Sequence, residues 1–287
     1  MSEPIRIHAR DGRELAAELH TAQSPKGTVV VASAMGVAQG FYRSFAAYLS
    51  RRGLCALTFD YRGIGSSRRG ALRGETAQLH DWGEQDLSAA FAFMRERFPG
   101  LPLQLLAHSV GGQIFGLVPD APVEAALFVG SQSGAWRHWR GLGRLGMFAL
   151  WHSLPLFAAT LGKIPMRALG QGEDLPGGVG AEWARWGRQR AYIWSYAGPR
   201  GGLGFSTFKG RIRAYSISDD SYAPRPAIEA LVAMYAQAKT ELRPVSPAEL
   251  SVPAVGHFGF FKERFEQTLW REAADWLLAR CGTDLSA

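Results

Sequence analysis

LPLQLLAHSVGGQIFGLV, residues 101–118, is the most informative segment of the chain about its fold. Its first eight residues form an apolar run with the length of a buried strand, and the residues after Ser109 have the composition of a helix. Ala107 and Gly111, two positions on either side of the serine, are small enough for a sharp strand-to-helix turn. The stretch therefore predicts a nucleophile elbow that exposes the serine hydroxyl. An ordinary serine at a strand–helix junction is the alternative, because the usual G-x-S-x-G pattern has glycine where this chain has Ala107.

Short strands and helices alternate along most of the chain around this elbow. Asp11-Gly12 is a hairpin turn signal near the N-terminus. Strands are predicted at residues 4–10, 13–20, 28–33, 54–60, 101–108, 125–130, 211–218 and 240–246. Helices are predicted at residues 41–53, 81–98, 110–118, 225–238 and 261–280. This alternation predicts an α/β fold with a mostly parallel sheet covered by helices on both faces, and in such sheets functional sites lie at the carboxyl ends of the strands.

Residues 131–210 interrupt the alternation. This segment contains six of the nine tryptophans, Trp136, Trp139, Trp151, Trp183, Trp186 and Trp194, among many glycines. We predict that it is an insert, here called the cap segment, on an α/β core of residues 1–130 and 211–287. Its tryptophans either pack the insert on the core or form the wall of an apolar pocket.

One apolar run inside the cap segment, residues 145–162, carries no formal charge. A membrane-spanning helix needs about 20 mostly apolar residues, so this run stands at the lower limit. Pro155 lies in its middle and is expected to break or kink a helix there. We therefore predict a hydrophobic lid rather than a transmembrane segment.

The chain carries a net charge of +7, but its 32 basic residues are scattered. They form no block of like charge and no nucleic-acid-binding motif, so a nucleic acid partner is not expected. Cys55 and Cys281 lack metal-site spacing and are typical of a reducing compartment. The charged N-terminal residues show no secretory signal. These features predict a cytoplasmic protein without a metal or other cofactor, and they leave the oligomeric state open.

A serine nucleophile needs a base, and His257 is the best placed of the seven histidines. It follows the last predicted strand and precedes the last predicted helix, between Gly256 and Gly259. Flanking glycines allow a loop to aim the imidazole. The other histidines lie in the N-terminal hairpin, before a helix or in the cap segment, and His108 is expected to point away from its neighbour Ser109.

The base in turn needs a carboxylate to orient it, and two candidates follow the first strand after the cap segment. Asp219 and Asp220 are adjacent at the carboxyl end of that strand. One of them is expected to orient His257, while the other faces solvent or caps the loop. Two turn-forming aspartates without a catalytic role are the alternative.

The chain order of these candidates, serine, then aspartate, then histidine, resembles the α/β-hydrolase superfamily. FDYRGIGS, residues 59–66, is similar to the D-x-R-G-x-G-x-S loop of many members, and SAMGVAQGFY, residues 33–42, is similar to their oxyanion loop. GHFGFF, residues 256–261, and the DYRGIGSSR loop, residues 60–68, resemble a little-characterised bacterial branch near the serine aminopeptidase and lysophospholipase-like members. The family spacing D-x-x-x-P is met by Asp220 and Pro224, so the resemblance favours Asp220 over Asp219.

The resemblance implies a serine hydrolase that cleaves a small ester through a Ser-His-Asp triad. A backbone N–H of Val110, the residue after the serine, is the first oxyanion donor that it implies. The second donor is Val37 if Met35-Gly36 takes the place of the family's His-Gly, and Met35 if the loop is shifted.

Aromatic residues of the cap segment and Tyr42 are the candidates for a substrate pocket. The candidates are Tyr42, Trp136, Trp139, Trp151, Trp183 and Trp186. They favour a lipophilic or aromatic acyl group. Amide or peptide cleavage and acyl transfer to an acceptor other than water are alternatives, because the same triad serves them. A non-catalytic binding member of the fold is a third possibility.

Overall fold

The computed structural model describes residues 2–170 and 172–282, and its strands fall close to the predicted positions. They are β1 (Ser2–His8), β2 (Glu14–His20), β3 (Gly27–Ala32), β4 (Leu54–Phe59), β5 (Leu103–His108), β6 (Ala125–Val129), β7 (Lys163–Ile164), β8 (Leu175–Pro176), β9 (Arg211–Ile217) and β10 (Lys239–Val245).

The helices cover both faces of the sheet and build most of the cap segment. They are α1 (Arg43–Arg51), α2 (Leu79–Asp81), α3 (Ser88–Arg97), α4 (Val110–Phe115), α5 (Gly141–Leu161), α6 (Gly177–Arg188), α7 (Trp194–Ala197), α8 (Gly204–Thr207), α9 (Arg225–Val232), α10 (Gly256–Gly259) and α11 (Arg271–Leu278). A π-helical turn, Trp82–Leu87, joins α2 to α3, and another, Glu266–Trp270, precedes α11. The helix predicted at residues 225–238 ends at Val232, because Tyr235 turns inward and donates a hydrogen bond to the Gly112 carbonyl at 2.6 Å.

Eight strands form one sheet in the order β1-β2-β4-β3-β5-β6-β9-β10. β2 pairs antiparallel with β1 and β4, and the other neighbouring strands are parallel. The hairpin and the mostly parallel sheet are therefore confirmed, and the architecture is an α/β-hydrolase fold. Because β3, β5, β6 and β9 are parallel, their carboxyl ends meet at one edge and gather the loops that follow them.

The two faces of the sheet bury separate apolar layers. Side chains of successive strand residues point to opposite faces, so Val30 packs with Ile114 of α4 while Val29 and Val31 pack with Trp270 and its neighbours. Every residue of β3 is buried, as expected of a central strand covered on both sides. This rigid centre holds the loop ends at the carboxyl edge in place.

The cap segment lies between β6 and β9 and contains α5 to α8 and the small β7-β8 sheet. Trp151 and Trp186 of this segment belong to the same buried apolar cluster as Ile114 and Phe115 of the core. The division into core and cap at residues 131 and 210 stays a prediction.

Pro155 does not end the helix that contains it, so of the two expected effects, a break or a kink, the break does not occur. α5 runs from Gly141 through to Leu161 with Pro155 inside it. A proline lacks the N–H that would bond to the carbonyl four residues earlier, here that of Trp151. The guanidinium of Arg188 in α6 donates to this carbonyl at 2.8 Å and replaces the missing hydrogen bond. Despite its apolar run, α5 does not qualify as a membrane span, and neither does any other helix within residues 2–170 and 172–282.

An ion pair joins α2 of the core to α6 of the cap segment. Nδ1 of His80 lies 2.9 Å from Oε2 of Glu182, and the His80 backbone N–H donates to the same oxygen. The hydrogen bond to Glu182 raises the pKa of His80. Burial alone would raise the pKa of Glu182, but the hydrogen bonds from His80 outweigh it and lower this pKa.

The stability that His80 contributes is expected to depend on pH. A raised histidine pKa stabilises the fold below the ordinary value of 6.5, and this contribution is lost as the pH rises through the folded-state pKa. Because the pKa of Glu182 is lowered, its carboxylate stabilises the fold above pH 4.5. This contribution is lost as the pH falls through the folded-state pKa of Glu182. His80→Gln should therefore lower Tm most between about pH 4.5 and 6.5, and the difference from wild type should shrink at higher pH. Thermal unfolding across pH tests this, with His8→Gln on the exposed edge strand as the control.

Candidate active site

Ser109 lies on the turn between β5 and α4, in a backbone conformation that few non-glycine residues adopt. Its φ is 52° and its ψ is −113°. Strain of this kind persists only where the surroundings hold it, and here the Ser109 N–H donates to the carbonyl of Val129 at the end of β6, at 3.0 Å. Strand, strained turn and helix follow one another in the order that the sequence predicts.

The close packing of the elbow explains its small residues. A Cβ on Gly111 would lie 2.5 Å from the carbonyl oxygen of Ala32, and one on Gly112 would lie 2.5 Å from Oγ of Ser131. Both glycines are therefore required for α4 to begin this close to β3 and to the chain after β6. Ala107 is fully buried, and its carbonyl accepts a hydrogen bond from Ser131 at 3.3 Å. The sheet thus has room for the one methyl group that distinguishes this elbow from the G-x-S-x-G pattern.

His257 and Asp220 are hydrogen-bonded across two loops at the carboxyl edge of the sheet. Nδ1 of His257 lies 2.7 Å from Oδ2 of Asp220, and both side chains are almost completely buried. The other oxygen of Asp220 accepts the backbone N–H groups of Tyr222 (2.8 Å) and Ala223 (3.0 Å). These bonds fix the carboxylate, so that it holds Nδ1 protonated and leaves Nε2 as the basic nitrogen.

Asp219 has a different position from its neighbour. Its carboxylate accepts the backbone N–H groups of Val255 (2.9 Å) and Gly256 (3.1 Å). Asp219 therefore ties down the loop that leads into His257, and in the described part of the chain its carboxylate does not hydrogen-bond to the imidazole. Of the two adjacent carboxylates, one touches the histidine and the other holds its loop.

Gly130, directly after β6, is a site residue that the sequence reasoning missed. Its φ is +57°, and a Cβ there would lie 3.1 Å from both Oδ2 of Asp220 and Nδ1 of His257. Any other residue would be strained by the positive φ and would crowd the hydrogen-bonded pair. Its place immediately after a buried strand was the available signal, because a glycine there permits a left-handed turn and a close approach.

The loop after β3 brings Met35, and not Val37, to the site. Met35 lines the same cavity as Ser109, whereas the N–H of Val37 donates to the carbonyl of Ala34 at 3.2 Å. Among the residues that the structure describes, the N–H groups of Met35 and Val110 have no hydrogen-bond acceptor. Each is thus available to a ligand atom near Ser109.

The cap segment supports this loop from outside. The N–H of Glu173 donates to the carbonyl of Gly36 at 2.7 Å, and the Glu173 carboxylate accepts the N–H of Gly65 at 3.0 Å. The loop after β3 and the loop after β4 are therefore both bonded to one residue of the cap segment.

Tyr42 and His108 form a buried hydrogen-bond chain behind the site. The Tyr42 oxygen accepts the N–H of Ala34 (2.8 Å) and lies 2.8 Å from Nδ1 of His108, whose Nε2 lies 3.0 Å from the carbonyl oxygen of His257. Burial lowers the pKa of His108 well below its ordinary value, and the nearby His257 adds to this effect, so His108 is neutral. Its single proton must be on Nε2, because a carbonyl can only accept. Nδ1 consequently accepts from the Tyr42 hydroxyl, and the chain joins the loop of Met35 to that of His257.

A cavity of about 340 Å³ opens beside Ser109 and His257. Its lining residues are Ala34, Met35, Ser109, Gln132, Gly134, Gly146, Met147, Leu150, Trp151, Met166, Trp183, Tyr222, His257 and Phe258. No Asp, Glu, Lys or Arg is among these residues of the described chain. The cavity is therefore suited to an uncharged, largely apolar group.

The aromatic pocket candidates divide into two groups. Trp151 and Trp183 line the cavity and pack edge to face, with ring centroids 4.6 Å apart. The remaining candidates lie outside this lining. Trp139 donates to the Ser221 carbonyl at 3.0 Å, Trp136 packs against two arginines, Trp186 is buried against Tyr196, and Tyr42 lies behind the site as described above.

The match to a family model agrees with this fold and elbow. The Hydrolase_4 model, described as serine aminopeptidase, S33, matches residues 23–148, which include the loop after β3 and the elbow. The chain has the α/β-hydrolase fold, and the segment that is similar to this family covers less than half of its length. No curated protein sequence matches it significantly.

Solved structures of similar fold include two esterases and a lipase. An esterase of Pyrococcus furiosus has a TM-score of 0.62 at 15% identity, over 96% of this chain and 89% of that one. A thermostable carboxyl esterase of Bacillus coagulans, in complex with glycerol, has a TM-score of 0.63 at 12% identity, over 98% and 97%. A lipase in an open form has a TM-score of 0.67 at 12% identity, over 99% and 100%. At these identities the likeness establishes the fold.

Proposed function

We propose that this protein is a serine hydrolase that cleaves carboxylic esters with an apolar acyl group. The observation that carries the proposal is the 2.7 Å hydrogen bond between His257 and Asp220 at the cavity that Ser109 lines from its strained turn. A nucleophile, a base and a group that orients the base are the parts that acyl transfer requires. The match of residues 23–148 to the Hydrolase_4 model and the likeness in fold to esterases and a lipase support the same chemistry.

The reaction proceeds through an acyl-serine. Oγ of Ser109 attacks the ester carbonyl carbon while Nε2 of His257 takes the hydroxyl proton, and Asp220 stabilises the imidazolium that forms. His257 then gives this proton to the alcohol oxygen as the C–O bond breaks. A water molecule, deprotonated by His257, attacks the carbonyl carbon of the acyl-serine. His257 returns this proton to Oγ of Ser109 as the acyl C–O bond breaks, which releases the carboxylic acid and regenerates the hydroxyl.

The developing negative charge on the carbonyl oxygen needs hydrogen-bond donors. The backbone N–H groups of Val110 and Met35 serve this purpose, because both are without an acceptor in the described chain. Each such donor contributes about 10²–10³ to the rate. Met35 is favoured over Val37, whose N–H is already engaged within the loop.

The name of the matched family model suggests an aminopeptidase, but the lining of the cavity favours an ester substrate. An aminopeptidase must bind a charged amino group, and a buried ammonium needs a carboxylate partner. None of the described lining residues carries one, whereas Met147, Leu150 and Trp151 present apolar surface. An uncharged apolar acyl group suits this lining.

Two measurements test the proposal. A fluorophosphonate probe should label Ser109 in the folded protein, and the absence of labelling would instead favour a non-catalytic binding protein. For p-nitrophenyl esters, kcat/KM should rise by up to about fourfold per added methylene until the cavity is full. A succinyl ester should be a poor substrate because its charge would be buried. Faster cleavage of aminoacyl anilides than of any ester would contradict the proposal.

Tyr42 is expected to act as a positioning residue through its bond to Ala34, next to Met35. Tyr42→Phe leaves the Ala34 N–H without a buried partner, which costs about 1–3 kcal/mol. We expect kcat to fall about tenfold with little change in KM, because the Met35 donor acts mainly on the transition state. Steady-state kinetics on a p-nitrophenyl ester test this. Tyr48→Phe is the matched control. Tyr48 lies in α1 and is buried like Tyr42, but its hydroxyl accepts a hydrogen bond from Arg52, away from the site. An equal fall in both variants would rule out the positioning role.

A further inference from the structure

The outward face of α5 is apolar where a cap helix would be expected to be polar. Leu142, Leu145 and Leu156 are 85%, 65% and 63% exposed, and Phe148 is 43% exposed. The three leucines are spaced to share one side of the helix, and we call these four residues the outer face of α5. A helix that is apolar all round is normally buried, yet within residues 2–170 and 172–282 nothing covers this side.

The opposite side of the same helix packs on the rest of the protein. Trp151 and Leu154 are fully buried, and Met147 and Leu150 line the cavity beside Ser109. The outer face is therefore not needed for packing within the chain. Its exposure requires a separate explanation.

The charge around the outer face shows which chemistry fits it. Arg137, Arg140 and Arg144 are exposed at the N-terminal end of α5, and none forms an ion pair with a described residue. Arg137 and Arg144 both lie over the ring of Trp136, at 4.5 and 4.8 Å from its centroid. The sequence contains no Asp or Glu between Glu124 and Glu173. The charged residues that residues 125–161 contribute around this apolar face are thus all arginines.

We propose that the outer face of α5 docks on an anionic lipid surface. Leucine and phenylalanine side chains would enter the boundary between headgroups and acyl chains, while the three arginines contact the lipid phosphates. A second copy of the chain is a poorer occupant. A symmetric contact through this face would bring two arginine sets together, and the segment contains no carboxylate to pair with them.

Co-sedimentation with sucrose-loaded vesicles tests this proposal without using any catalytic activity. The protein should bind vesicles of phosphatidylcholine containing phosphatidylglycerol, and bind vesicles of phosphatidylcholine alone at least about tenfold more weakly. Raising NaCl from about 0.05 M to about 0.5 M should weaken binding to the anionic vesicles, because salt screens the arginines.

Two double variants separate the apolar and the cationic contributions. Leu142→Gln with Leu145→Gln should lower the partition coefficient at least about tenfold, and Arg140→Gln with Arg144→Gln should remove most of the preference for anionic lipid. Arg95→Gln with Arg97→Gln, which removes the same charge from exposed positions of α3, should bind like wild type. All positions are exposed, so unchanged Tm values should confirm that each variant folds.

Three outcomes would overturn the proposal. One is the absence of wild-type binding to anionic vesicles. Another is equal binding by the leucine variant. The third is a wild-type protein that is dimeric by light scattering and a leucine variant that is monomeric, when neither of them binds vesicles. None of these outcomes bears on the proposed ester hydrolysis, which the fluorophosphonate labelling of Ser109 tests separately.

Discussion

Ser109→Ala is expected to lower kcat for a p-nitrophenyl ester by about 10⁶-fold, as deletion of a triad nucleophile does elsewhere. Alanine removes the hydroxyl that attacks the carbonyl and leaves the cavity and the Met35 and Val110 donors in place. Residual hydrolysis above the uncatalysed rate should therefore persist, and KM should change little. The measurement is steady-state hydrolysis with the variant purified free of wild-type enzyme.

Ser131→Ala is the matched control for this variant. Ser131 is buried beside the elbow and donates to the carbonyl of Ala107, but it does not line the cavity. Its replacement should change kcat by no more than a few-fold. If Ser109→Ala retained wild-type turnover, the acyl-serine mechanism would be wrong. If both variants lost activity equally, the loss would reflect disruption of the elbow rather than loss of a nucleophile.

Asp220→Asn is expected to lower kcat by about 10⁴-fold, the second largest effect in this protein. The amide cannot hold Nδ1 of His257 protonated as the carboxylate does, so the imidazole no longer presents a basic Nε2 to Ser109. It also no longer stabilises the imidazolium that forms during the reaction. The pH dependence of kcat should change along with its magnitude.

Asp219→Asn next to it provides a control of the same chemistry. Its amide oxygen can still accept one of the two N–H bonds, from Val255 or Gly256, that the carboxylate accepts in wild type. We expect a loss of less than about tenfold, since one hydrogen bond in the loop is weakened and no proton transfer is affected. A larger loss for Asp219→Asn than for Asp220→Asn would reverse the assignment of the two carboxylates.

Local sterics made the elbow and the mostly parallel sheet predictable. Ala107, Ser109 and Gly111 are within five residues of one another, and the turn that they form depends on atoms of the same short segment. The alternation of strand and helix was predictable for a similar reason, because side-chain periodicity follows backbone geometry. The confirmed mostly parallel sheet then placed the loops at one edge.

The cap segment was the least predictable part of the chain. Its tryptophans look alike in sequence, yet Trp151 and Trp183 line the cavity while Trp186 is buried elsewhere. α5 passes through Pro155 only because Arg188, 33 residues later, supplies a donor to the carbonyl that proline leaves free. Both results depend on contacts between elements that are distant in the chain.

The class of fold, the position of Ser109 on its turn and the two loops that hold its predicted partners could all be read from the amino-acid order. The family resemblance already favoured Asp220, but which atoms of each loop face the site became visible only with the chain folded. Asp220 rather than Asp219 contacts His257, Met35 rather than Val37 has a free N–H, and Gly130 makes room for the bonded pair. The physical reason is that neighbouring residues in a loop point in different directions. The direction that faces the site is set by the strands and loops that close around it, and these come from distant parts of the chain.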